Sequence, residues 1–264
     1  SIFTAMRFTT LLLPSRSKNM GILTLNNPKA LHALTREMID CMYDVLTEWL
    51  SPAAANPPNI EQQPKQQDST NKIQAILFKT SQEGTKRPMF CAVGDVNAVY
   101  EHGIEHASGN TSDDGGHSHC RPEDFFYYEY QVNHIVATST VPIISLWDGI
   151  IFGGGVGISV HGKYRVATEH SLFAMPETAI GLYPDVGGMW FLPRIMMTSM
   201  NNKNNTASIQ PTESPSSSII VNPLAKYLAL TGQRIGPADL LYTGLATHYI
   251  PSKQLPDLEA ALVD

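Results

Sequence analysis

No stretch of this sequence is apolar for long enough to cross a bilayer, which takes about 20 residues of helix. Cysteine is scarce. Cys41, Cys91 and Cys120 are odd in number and too far apart for a CxxC unit, so neither a disulfide framework nor a zinc ribbon is indicated. That usage fits a reducing intracellular compartment. Basic charge is not in excess either: 18 Lys and Arg against 24 Asp and Glu leave a formal charge of -6. A chain-wide nucleic-acid footprint is excluded, and only a local patch stays open. Acidic residues are missing from positions 1–36, where Arg7, Arg16, Lys18, Lys29 and Arg36 stand. The charge pattern is like that of a mitochondrial presequence. Residues 8–13 and 21–25 nevertheless read as paired strands, which favours a basic first hairpin with any targeting signal upstream.

What is present is globular: 42% hydrophobic and 16% charged over 264 residues, enough for one sizeable core. A short apolar run at 22–25 ends at the turn signal Asn26-Asn27-Pro28. After Thr35, a plausible N-cap, apolar residues recur at Met38, Cys41, Met42, Val45, Leu46 and Trp49. That spacing predicts a helix of about four turns, its stripe buried as core. Strands are expected at 73–78, 141–147, 164–168 and 172–175, and helices at 123–138, 225–230 and 237–243. Their alternation argues for an α/β architecture. Segments 51–72, 102–122 and 198–222 are too polar to order themselves and read as surface insertions in a single domain. The second insertion holds His102 and His106 at i,i+4 spacing, near His117, His119 and Cys120. On a helix that pair would face one ion. Gly103 and its polar neighbours argue against a helix, so the expectation is a solvated loop with no metal.

Gly153-Gly154-Gly155-Val156-Gly157 follows the strand ending near Trp147. It fails the dinucleotide fingerprint, because the sixth position from Gly153 is Ile158. Residues 157–164, GISVHGKY, approach a phosphate loop but lack the Ser or Thr that holds magnesium. Bare backbone at a helix N-terminus is the better reading, since unpaired N–H groups there stabilise an oxyanion. Tight turns and helix packing are the commoner uses of such clusters.

Several segments, in order, resemble one family. Asn27-Pro28-Lys29-Ala30-Leu31-His32-Ala33-Leu34 is similar to the N-x-P-x-A-L-N-A-L opening of the crotonase (enoyl-CoA hydratase/isomerase) superfamily. Phe90-Cys91-Ala92-Val93-Gly94-Asp95 resembles its F-[CS]-A-G-[AG]-D turn, and residues 149–157 its H-G-x-x-x-G-G-G-x-G stretch. Residues 171–188, SLFAMPETAIGLYPDVGG, resemble the 3-hydroxyisobutyryl-CoA hydrolase branch. Phe191-Leu192-Pro193-Arg194 and Leu228-Ala229-Leu230-Thr231-Gly232 continue in register.

The resemblance implies a crotonase-like spiral of ββα units whose Gly94 and Gly154 amides hold a thioester carbonyl. It maps Glu177 onto the second glutamate of the hydratases, while Gly157 stands where their first would be. Asp185 is the acid that the hydrolase branch adds. Glu129 matches a glutamate used near the substrate there, although a solvated helix residue is a competing reading. An acyl-CoA substrate is implied, with coenzyme A part of that substrate and no separate cofactor, zinc or nicotinamide. The expected reaction is hydrolysis of 3-hydroxyisobutyryl-CoA in mitochondrial valine breakdown, by a possible homo-oligomer. Competing readings are an enoyl-CoA hydratase or isomerase and a structural protein of the mitochondrial ribosome. Val93, His32 and Asp148 depart from the family pattern, Val93 at the oxyanion turn itself. The chain also stops at Asp264, before a further helical segment that the branch normally carries.

Overall fold

A basic hairpin opens the structure, a computed structural model that describes residues 11–51, 72–108, 122–201 and 222–263. Strands β1 (Leu12–Ser17) and β2 (Met20–Leu25) pair antiparallel, and the chain reverses at Lys18 with φ +49°. The hairpin thus lies somewhat later than residues 8–13 suggested, and residues 1–10 lie outside the described ones.

Helix α1 (Arg36–Leu50) follows as its periodicity requires. Thr35 is the N-cap, its hydroxyl accepting from the Met38 amide at 3.3 Å, and Met38, Cys41, Met42, Val45 and Leu46 are buried. Trp49 is half-buried and packs over Gly21, where a Cβ would lie 2.5 Å from the indole. Next come β3 (Ala75–Thr80), α2 (Val96–Ala107), α3 (Pro122–Ala137), β4 (Ile143–Trp147), β5 (Ile150–Phe152) and α4 (Gly154–Val160). The remainder is β6 (Tyr164–Ala167), β7 (Leu172–Ala174), α5 (Gly188–Asn201), α6 (Pro223–Thr231), α7 (Pro237–Thr243), β8 (His248–Tyr249) and α8 (Leu255–Val263).

The main sheet runs β1-β2-β3-β4-β6-β8, parallel after the first pair, and a small second sheet pairs β5 with β7. Strands β3, β4 and β6 of the main sheet each hand the chain to the second layer before a helix. Cys91 bridges to Ile151 before α2, β5 precedes α4, and β7 precedes α5. These repeated ββα turns are the spiral that the motifs implied. β4, buried along its whole length, reads IISLW because a central parallel strand is covered on both faces.

Two apolar clusters result. The larger lies between the sheets and helices; the smaller joins Met20, Leu77, Ile144, Leu146 and Val166 on the other face of the main sheet to Leu255 of α8. Lys79 of β3 forms an ion pair with Glu259, fastening α8 across that face. Arg165 is fully buried with no carboxylate partner among the described residues, its guanidinium donating to the Leu245 and Gly162 carbonyls. Burial draws its pKa down to about 10.

Two insertion boundaries need correction. α2 continues to Ala107 and α5 to Asn201, so 102–107 and 198–201 are helical. His102 and His106 therefore do share a helix, despite Gly103. Residues 52–71, 109–121 and 202–221 lie outside the described residues.

Candidate active site

The three consecutive glycines that end the β5 turn each leave a space that another group uses. Gly153 has φ +48° and ψ -116°, a conformation that L side chains rarely adopt, and a Cβ there would lie 2.9 Å from Glu177 Oε1. Gly154 opens α4, so its amide has no carbonyl one turn earlier to bond. A Cβ on it would stand 2.6 Å from Glu129 Oε1 and 3.1 Å from the Gly94 nitrogen. The bare face of Gly154 is thus where the Gly94 amide and the Glu129 carboxyl meet.

Gly94 is positioned by the opening motif. Leu34 bridges to it in parallel: the Leu34 amide donates to the Val93 carbonyl at 3.0 Å, and the Asp95 amide to the Leu34 carbonyl at 2.8 Å. Val93, the departure at this turn, keeps a negative φ and leaves Gly94 beside Gly154. The other two departures serve the frame. His32 is buried and its Nδ1 accepts from the Asn27 amide at 3.1 Å. Asp148 accepts from Thr168 at 2.7 Å and from Ser252 at 2.8 Å.

Glu177 begins a short 3-10 helix (Glu177–Ile180) after β7 and is only 6% exposed. Its Oε2 is buried and finds no hydrogen-bond partner among the described residues. Burial raises its pKa to about 7, and the negative charge of Asp185 adds to the rise. Gly181, at φ +81°, ends the helix, and the chain turns through Pro184 back toward the same space. Asp185 is half-buried; desolvation raises its pKa, opposed by a hydrogen bond from the Tyr130 hydroxyl at 3.0 Å. The following Val186 has φ +45°, a strained conformation for a β-branched residue, and its carbonyl lies 3.2 Å from His161 Nε2.

Glu129 is not a solvated helix residue. It is 2% exposed, on the α3 face that buries Phe125, Val132 and Val136, and its Oε1 has no partner among the described residues. Burial, then the charges of Asp185 and Glu177, push its pKa up to about 8. An acid within an apolar stripe at helical spacing was the available signal for this burial.

Gly94, Gly154, Glu129, Glu177 and Asp185 all line one cavity of about 230 Å³, walled by Val96, Val99, Phe125 and Phe126. Its chemistry is that of two bare backbone donors facing three carboxyl groups in an apolar enclosure. Gly157 is turned elsewhere: a Cβ there would meet Val186 Cβ at 2.6 Å and Asn133 Nδ2 at 2.9 Å. No side chain fits at that position without displacing both. Sequence reasoning did not find the roles of Tyr130 and Val186, since only folding brings α3 against the Asp185 turn. Among the described residues no three His, Cys, Asp or Glu side chains form a group that could hold a metal ion, and no helix is long and apolar enough to cross a membrane.

Comparisons with known proteins agree with this geometry. Residues 58–264 match the model of the enoyl-CoA hydratase/isomerase family. The mitochondrial 3-hydroxyisobutyryl-CoA hydrolase of Gallus gallus is 37% identical over 243 residues, covering 92% of this chain and 48% of the relative. The Homo sapiens protein of the same name matches with the same figures. The chain therefore spans about half the length of the curated relatives it matches. Among solved structures, an enoyl-CoA hydratase from Rhodobacter sphaeroides superposes with a TM-score of 0.68 at 29% identity, over 96% of this chain and 58% of that one. A carnitinyl-CoA dehydratase from Mycobacterium thermoresistibile gives 0.69 at 28%, over 97% and 58%. With its family model matched over most of its length and its glycine-lined cavity built on a ββα spiral, this chain belongs to the enoyl-CoA hydratase/isomerase family.

Proposed function

We propose that this chain carries the site of an acyl-CoA thioester hydrolase acting on 3-hydroxyisobutyryl-CoA, releasing 3-hydroxyisobutyrate and coenzyme A. One observation carries the reading: Glu177 and Asp185 share the cavity of Gly94 and Gly154, while Gly157 leaves no room for the first hydratase glutamate. The relatives named as 3-hydroxyisobutyryl-CoA hydrolases support the same choice.

In this mechanism the Gly94 and Gly154 amides polarise the thioester carbonyl and hold the tetrahedral oxyanion. Glu177 attacks the carbonyl carbon or draws a proton from the attacking water. A pKa of about 7 leaves enough of the ionised form at neutral pH for either role. Asp185 accepts a hydrogen bond from the 3-hydroxyl or passes a proton to the departing thiolate. Glu129 contributes to substrate binding. Coenzyme A enters as part of the substrate and no further cofactor takes part. The mitochondrial designation of the relatives supports a mitochondrial site of action in valine breakdown.

The test is free-thiol release over a panel of acyl-CoA esters, with crotonyl-CoA hydration measured alongside. Preferential cleavage of short branched 3-hydroxyacyl esters is expected. Robust hydration of crotonyl-CoA without thiol release would replace this reading with a hydratase.

A further inference from the structure

Three carboxyl groups in one apolar cavity are one more than the proposed hydrolysis needs. Glu129 is the one nearest the oxyanion donors, since its Oε1 and the Gly94 nitrogen converge on the bare face of Gly154. Ionised there, it would repel the negative charge that those amides exist to stabilise. Nothing at hand would neutralise it. Among the described residues lining the cavity there is no Lys, Arg or His. The titratable groups that face it bring no positive charge: Glu177 from the 3-10 helix, Asp185 from the turn before α5, and the Cys91 thiol, which burial keeps neutral. Its Oε1 accepts no hydrogen bond from the described residues, as a buried carboxylate would require.

We propose that Glu129 works as a neutral carboxylic acid, its O–H serving as a third hydrogen-bond donor to the thioester oxygen as it becomes an oxyanion. The role rests on the hydrolase reading and deepens it. No proton is transferred: the O–H bond of Glu129 stays intact, and the donated hydrogen bond shortens as charge moves from the carbonyl bond onto oxygen. Leu34, whose side chain also touches this face of Gly154, leaves the carboxyl sheltered from water. In such an enclosure a donor aimed at developing charge is worth far more than in water.

Two measurements on the full chain test it. The first is the pH profile of thiol release for wild type, Glu129→Gln and Glu129→Leu. Because the protonated form is the working one, wild-type kcat should fall as pH rises through about 8. Glu129→Gln, which keeps a weaker neutral donor, should lower kcat by about threefold and lose that alkaline fall. Glu129→Leu should lower it by about 10²-fold, the usual cost of one oxyanion donor. Equal losses in Gln and Leu variants, with the alkaline fall retained in both, would overturn the proposal in favour of an obligatory carboxylate. The second measurement is independent of turnover. Measured in the Glu177→Gln background, which removes the other carboxyl protonated near neutrality, the infrared band of a protonated carboxyl group should be present at pH 7, fade by pH 9, and be lost at pH 7 when Glu129→Gln is added. Its absence from Glu177→Gln at pH 7 would overturn the proposal even if no thioester were cleaved. Absence of thiol release with the band in place would instead remove the hydrolase reading alone.

Discussion

The Tyr130 hydroxyl donates to Asp185 Oδ2 at 3.0 Å, joining the middle of α3 to a turn 55 residues later. The bond stabilises the ionised form of Asp185 against the desolvation that raises its pKa, and it fixes one of the two carboxylate oxygens. Removing it by Tyr130→Phe should lower kcat by about tenfold to 10²-fold, in line with roughly 1.5–3 kcal/mol for a hydrogen bond to a charged group. Asp185 should then titrate at higher pH, carrying the acid side of the kcat profile with it. An unchanged profile would show that Asp185 is held by other contacts.

Glu177 and Asp185 should fail differently. Glu177→Gln should lower kcat by about 10²-fold or more for every accepted ester, because no other group in the mechanism can attack or activate water. Asp185→Asn should reduce cleavage of 3-hydroxyacyl esters more than of esters lacking that hydroxyl, if recognition is its role. Equal losses on both ester types would assign it to proton transfer. Thioester cleavage by Glu177→Gln at the wild-type rate would reject the mechanism.

Gly157→Ala tests the missing carboxylate position physically. The added methyl would stand 2.6 Å from Val186 Cβ, so α4 or the Asp185 turn must shift. Overpacking of this kind costs about 1–3 kcal/mol. The melting temperature should drop by roughly 3–10 °C, with no crotonyl-CoA hydration gained. A variant as stable as wild type would show that the turn yields easily.

The raised carboxyl pKa values also set a direction for stability with pH. Glu129 and Glu177 titrate near 8 and 7 when folded and near 4.3 in an unfolded chain. The folded state therefore binds more protons between these limits. Their contribution is complete below the unfolded value and is lost as pH rises through 7 and 8. Calorimetry should find the melting temperature falling between pH 5 and pH 9, and the Glu129→Gln, Glu177→Gln double variant should flatten that fall. A rise over this range in wild type would contradict the assignment of both groups as buried and uncompensated.

Much of this arrangement was legible before folding. α1 could be read from its stripe and its Thr35 cap, because both signals are local. α7 was legible because Pro237 and Gly244 punctuate its two ends. α5 was not, since Pro193 stands inside it, where that residue more often ends a helix. β7 forms at Leu172–Ala174, inside the strand expected at 172–175, whereas β5 is three residues, too short for a period-2 pattern to register. At the site, the motifs located Gly94, Gly154, Glu177 and Asp185, and the structure brings all four to one cavity. The Tyr130 contact, the strained Val186 and the converging face of Gly154 are products of packing between distant segments. No local signal encodes them.

The order of synthesis gives α8 a weight that its nine residues do not suggest. Every strand it covers leaves the ribosome before it does, so Leu77, Ile144, Leu146 and Val166 face water or a chaperone until residues 255–263 follow. A nascent chain stalled before Leu255 would present an apolar sheet face ready to pair with a neighbour's. Substitutions at Leu255 or Glu259, far from the cavity, should therefore surface first as poor yield and aggregation, with the soluble fraction retaining its turnover.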